Sequence, residues 1–135
     1  MIQLFSVFSD WAVVILRVAV GLIFLAHGLE KVKSLKNTQA WFSSIGFKPG
    51  VFWGSLVTFL EFFGGIALIS GFLVQPIAFL LTLEMMVATF WKLRLKQKLI
   101  GGYEFDLLLI AALLILAVSG SNAYSIDSYF GLYLF

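Results

Sequence analysis

The chain has no cysteine, one histidine and two prolines among 135 residues. Without thiols it can perform no disulfide exchange or thiolate catalysis, and it can hold no cysteine-ligated iron–sulfur cluster or metal. A lone histidine, His27, likewise excludes a bis-histidine haem or a histidine-rich metal cluster unless another chain contributes. No metal site is therefore expected. Charge is scarce too: 12% of residues carry one, against about 25% in a soluble domain. In its place stand 61% hydrophobic residues and a mean hydropathy of +1.04. An ordinary water-soluble fold is excluded by that balance. The opening "MIQLFSVFSD" has no Lys or Arg and so lacks the basic region of a cleavable signal. It reads as the start of a retained helix.

Several apolar runs reach the roughly 20 residues needed to cross about 30 Å of hydrocarbon. The pattern predicts four spans, over residues 11–28, 52–72, 76–93 and 103–120. Pro76 suits the first turn of the third, where a missing N–H breaks no intrahelical bond. Gly71, Gly101, Gly102 and Gly120 mark ends and connections. Short connections between four such helices predict an all-α, up-down-up-down membrane bundle forming a single domain over 1–135. Residues 38–46, "TQAWFSSIG", carry Trp41, Phe42 and Ile45 at helical spacing, as a short helix in the membrane interface would. The aromatic tail "SIDSYFGLYLF" is too short to span and is expected at the outer interface or against a partner subunit.

Positive charge collects in two connections. The first holds Lys31, Lys33, Lys36 and Lys48, and the third holds Lys92, Arg94, Lys96 and Lys98. With four crossings these lie on one side, and the positive-inside rule makes that side cytoplasmic in a cell's inner membrane, with both termini outside. The basic residues are expected to meet water or anionic headgroups.

Arg17, His27, Glu61 and Glu84 instead fall within or near the spans. A charge at the bilayer centre costs about 2.5–3.5 kcal/mol on insertion scales, so these side chains should face the bundle interior and find partners. On the first helix Arg17, Gly21, Phe24, Gly28 and Lys31 recur at helical spacing, with His27 at the edge of the stripe. Counted at about 1.5 Å per residue, Arg17 and Glu84 lie roughly 9 and 12 Å below the outer boundary, which makes them a candidate ion pair. His27 and Glu61 lie roughly 6 and 12 Å above the inner boundary, and Lys31 and Glu104 lie at it. His27, Lys31, Glu61 and Glu104 can therefore converge into one polar pocket opening toward the cytoplasm. The plainer reading is that such groups lock helix register through hydrogen bonds and do no chemistry.

The stretches "RVAVGLIFLAHGLEK", "WFSSIGF", "LEFFGGIALISGFL" and "GGYEFDLLLIAALLILAVSGSNAYSID" resemble the DoxX family of small four-helix membrane proteins. The likeness runs from about Arg17 to Asp127. It falls on Arg17, Gly21, His27, Gly28, Lys31, Glu61, Gly64, Gly65, Gly71, Gly102, Glu104 and Asp127. Glu84 and the "FWKLRLKQK" loop are not among the matching positions. The resemblance implies quinone-linked redox work, since some relatives resemble the membrane subunit of a thiosulfate:quinone oxidoreductase and others belong to membrane-associated oxidoreductase assemblies. On that basis the chain is expected to be a subunit of a respiratory or quinone-linked complex, with no cofactor of its own, a quinone as candidate ligand, and no catalysis alone. Two alternatives stand beside it: a non-catalytic accessory subunit and a small proton or anion transporter. The expected partners are lipid, other subunits or further copies of the chain, and not nucleic acid.

Overall fold

The computed structural model describes residues 6–121 and 124–132. The first five residues, the "NA" of "SGSNAY" and the last three residues of the aromatic tail lie outside that range. After a 3-10 turn at Ser6–Phe8 come α1 (Ser9–Lys33), α2 (Leu35–Ser44), α3 (Gly50–Ser70), α4 (Val74–Arg94), a wide irregular turn at Leu99–Tyr103, α5 (Glu104–Ser119) and α6 (Ile126–Phe130). Among the described residues there is no strand. Helices α1, α3 and α4, and α5 with its preceding turn, are long and apolar enough to cross a membrane. The chain is an all-α membrane protein with four candidate spans.

The four helices associate as two pairs. α1 packs along α3 and α4 along α5, while contacts between the pairs are sparse. Glycine sets the first pairing. A Cβ placed on Gly21 would come within 2.8 Å of the Gly65 carbonyl oxygen, and one on Gly65 within 2.5 Å of the Leu25 nitrogen. Backbones approach this closely only where side chains are missing, which is how helices associate in lipid, where apolar burial supplies no drive. α2 docks on the start of α3 through Gln39, whose Nε2 donates to Ser55 Oγ at 2.9 Å, and Ser43, whose Oγ accepts from Gly50 N at 3.0 Å. None of its residues is buried.

A tight turn joins the pairs at one end. α3 stops at Gly71, whose φ of +75° suits glycine, and Phe72 N donates back to the Ala67 carbonyl in a Schellman closure. Asp127, folded back from α6, accepts from Leu73 N at 2.7 Å and Val74 N at 3.1 Å. That carboxylate satisfies two donors at the start of α4 that the helix itself leaves open. The dry core lies just beneath: Val20 and Phe24 of α1, Leu68 of α3, Val74, Ala78, Leu81 and Met85 of α4, and Leu109, Leu113 and Leu116 of α5. Thr58, Thr82 and Thr89 are buried in these helices and return their hydroxyl protons to carbonyls four residues back.

The far end carries both lysine-rich connections. Here the pairs separate, and Phe47, from the loop after α2, bridges them edge-on, with ring centroids 6.2 Å from Trp53 of α3 and 5.8 Å from Trp91 of α4. The bundle is thus packed solid at one end and hollow at the other.

Candidate functional site

The hollow is a cavity of about 960 Å³ between the α1–α3 and α4–α5 pairs. Its wall is mostly apolar and aromatic, and into it fall His27 and Lys31 of α1, Glu61 of α3, Glu84 and Lys92 of α4, and Asp106 of α5.

Two acidic residues meet there because of the tight turn above them. Glu61 lies ten residues before Gly71 and Glu84 ten residues after Val74. In an antiparallel hairpin these positions share one depth, about 15 Å below the turn. The Glu84 carboxyl group accordingly lies beside that of Glu61, with Lys31 adjacent. Lys31 Nζ donates to Glu61 Oε2 at 2.5 Å. The Glu61 side chain is 4% exposed and that of Lys31 31%, so the lysine snorkels from the helix end toward a buried acid.

Asp106 forms the second charged pair. Lys92 Nζ lies 2.9 Å from each carboxylate oxygen, but only Oδ1 is aligned to accept. Around these pairs three buried polar atoms at the cavity wall have no hydrogen-bond partner: Glu84 Oε2, Asp106 Oδ2 and Trp91 Nε1. Unpaired buried polar atoms are rare in folded proteins, because each forfeits its hydration without replacement.

His27 is exposed at the margin of the cavity. Its Nδ1 lies 2.8 Å from the Ile23 carbonyl, and a bond to a carbonyl requires that this nitrogen carry the proton. Nε2 then remains to meet another group.

The structure places His27, Lys31 and Glu61 along one cavity, whereas Glu104, the fourth residue expected with them, falls elsewhere. Glu104 is exposed at the first residue of α5, where its Oε1 accepts from Gly101 N at 3.0 Å. Two residues on, about 200° round the helix, Asp106 faces inward in line with Leu109, Leu113 and Leu116. That 3-4-3 spacing was present in the sequence, but α5 is so uniformly apolar that no stripe stands out. Lys92, expected at headgroups, belongs to the last turn of α4 and pairs with Asp106.

Arg17 and Glu84 do not pair. α1 begins two turns beyond the α3–α4 turn, so Arg17 is level with Gly71 and about 15 Å from the depth of Glu84. There Arg17 is 2% exposed, and it donates through Nη1 to the Ser121 carbonyl and through Nη2 to that of Tyr124, each at 2.6 Å. Asp127 is its electrostatic counterpart. The expected pairing requires residues 11 and 76 to share one boundary, whereas α1, from Ser9 to Lys33, extends about two turns past the α3–α4 turn.

Fold and site together define a small helical membrane protein with an internal, charge-lined apolar cavity at one end. The family model for DoxX matches residues 12–93, and the chain belongs to the DoxX family. It is 31% identical over 115 residues to the Bacillus subtilis (strain 168) protein named "Putative oxidoreductase CatD", an alignment covering 85% of this chain and 84% of that protein. It is 30% identical over 122 residues to "Inner membrane protein YqjF" of Escherichia coli (strain K12), covering 88% and 92%. No solved structure matches the chain.

Proposed function

We propose that this chain is an inner-membrane subunit of a quinone-linked oxidoreductase assembly, and that its cavity receives a quinone headgroup. One observation carries the reading: a cavity of about 960 Å³ walled by aromatic and aliphatic side chains presents a few buried polar atoms that lack partners. Such a combination suits a ligand that is apolar over most of its surface and polar at a few points. The name of the Bacillus subtilis relative supports redox work in general terms.

The residues present fit such a headgroup. Trp91 Nε1 can donate to a ring oxygen, Glu84 and Asp106 can accept from one, and Phe47 and Trp53 offer apolar ring surface beside it. Leu56 of α3 and Leu80, Leu83 and Val87 of α4 border the cavity and are also exposed on the outer surface. An isoprenoid tail would lie along that opening, among lipid chains. When bound, a quinone supplies two-electron, two-proton redox capacity. The chain's part is to hold the ring, to exclude water from it and to offer protonatable groups, with His27 at the margin and Glu61 and Glu84 inside. Electron carriers belong to partner subunits, and the lysine-rich end faces the cytoplasm.

The transporter alternative loses weight from the dry core. Phe24, Leu68, Leu81, Leu113 and Leu116, each at most 1% exposed, separate Arg17 from the polar cavity.

Mild-detergent purification from the native membrane, followed by lipid extraction and mass spectrometry, tests the proposal. The expected result is near-stoichiometric isoprenoid quinone together with redox subunits. Ala88→Phe, which fills the cavity wall on α4, should lose the quinone while keeping the subunits. Redox subunits without quinone in the wild-type complex would reduce the chain to an accessory role. Recovery of neither would sink the proposal.

A further inference from the structure

Two buried atoms in the cavity wall lack any partner, one an acceptor and one a donor. Glu84 Oε2 is a carboxyl oxygen that seeks a donor, and Trp91 Nε1–H is a donor seeking an acceptor. Asp106 Oδ2 already lies 2.9 Å from the Lys92 ammonium. Glu84 and Trp91 project from one face of α4, through the series Leu80, Glu84, Ala88, Trp91 and Leu95, all of which line the cavity. Their backbones are about 10 Å apart along the axis. A ring placed against this face meets the carboxyl oxygen toward one end and the indole N–H toward the other.

An oxidised quinone has two carbonyl oxygens and no donor. It can satisfy Trp91 and leaves the Glu84 carboxyl oxygen desolvated and unpaired. A hydroquinone has two hydroxyl groups, each of which donates one hydrogen bond and can accept another. It can answer both atoms at once. Leaving a buried acceptor unmet costs more than a hydrogen bond returns in net terms, so the wall discriminates between the two redox forms of one ring.

We infer that the cavity selects the reduced, hydroxyl-bearing form, binding a hydroquinone in preference to the corresponding quinone, with Glu84 as the residue that sets the preference. This rests on the cavity being a quinone-headgroup site. The selectivity makes the chain a holder of quinol beside a partner that oxidises or releases it, and not a reservoir for the oxidised form.

The test is calorimetric titration of the purified chain in lipid nanodiscs, under anaerobic conditions, with a decyl-substituted benzohydroquinone and with its quinone. A hydrogen bond made by only one of the two forms predicts up to about tenfold tighter binding of the hydroquinone. Glu84→Leu, which leaves Lys31 and Glu61 to each other, should abolish the preference by weakening the hydroquinone alone. Trp91→Phe should weaken both forms alike. Thermal unfolding of each variant confirms that it is folded, and Glu84→Met serves as a second apolar replacement. Equal affinity for the two forms in the wild type would overturn the inference and leave the site intact. A preference that survives Glu84→Leu would overturn the assignment to Glu84. Binding of neither form would remove the headgroup site itself.

Discussion

The acid pair of Glu61 and Glu84 is held in apolar surroundings by one ammonium group, that of Lys31. Truncating that lysine strands a buried carboxylate, while removing both partners leaves two apolar side chains in lipid-like surroundings. Breaking a fully buried pair costs about 3–5 kcal/mol and exposed pairs are worth under about 1. For a lysine that is 31% exposed we expect Lys31→Met to lower stability by about 1–3 kcal/mol. The double variant Lys31→Met/Glu61→Met should recover much of that loss, as read by denaturant unfolding in detergent. Equal losses in the single and double variants would show that the pair contributes nothing beyond its separate side chains. At the opposite end Arg17 acts as a clasp. Its two bonds to the Ser121 and Tyr124 carbonyls, with Asp127 alongside, tie the chain after α5 across the top of the bundle. Arg17→Ala is expected to cost about 2–3 kcal/mol and to raise amide exchange specifically over residues 124–130.

Among the elements, the α1–α3 contact depends most on sequence detail. Any side chain at Gly65 would collide with the α1 backbone, so Gly65→Leu must drive the helices apart. An overpacking cost of at least about 1–3 kcal/mol and a lower melting temperature in detergent are the expected outcomes. Unchanged melting would mean that the two backbones do not approach this closely. The α3–α4 hairpin carries its register in its own sequence. A connection as short as Gly71–Leu73 fixes antiparallel register, so residues equidistant from it must meet, and that arithmetic places Glu61 opposite Glu84. Depth measured from the membrane boundaries pairs Glu84 with Arg17 instead, because boundaries are soft and turns are not. α5 shows the opposite case. The 16 residues from Glu104 to Ser119 are apolar almost throughout, so nothing in their pattern says which of Glu104 and Asp106 faces inward.

Across the whole molecule, the two lysine-rich connections share one end and both ends of the described chain share the other, as shown by the stacking of Trp11 on Tyr124 at 4.8 Å between ring centroids. With no native cysteine, single introduced thiols report sidedness without background. Lys36→Cys and Lys98→Cys should resist an impermeant maleimide in intact cells and react in inverted vesicles, and Tyr129→Cys should do the reverse. The opposite labelling pattern would place the cavity mouth on the outer side and sever it from a cytoplasmic redox partner.

Composition alone settles the solvent of this chain. With so few charges and four apolar runs of about 20 residues, the length of a spanning helix and twice that of a spanning strand, the backbone satisfies its hydrogen bonds in lipid as helices, and the placement of lysines puts both basic loops at one end. Close-packing glycines and intramembrane acids were equally visible as residue types. Which acid meets which base was decided only by tertiary structure, because helix offset, turn register and rotation about each axis arise when helices pack, and a uniformly apolar helix carries no mark of its inner face. The cavity belongs to that second category too: it exists because two well-packed helix pairs are joined at one end and splayed at the other, a property of the assembled bundle and of no single segment.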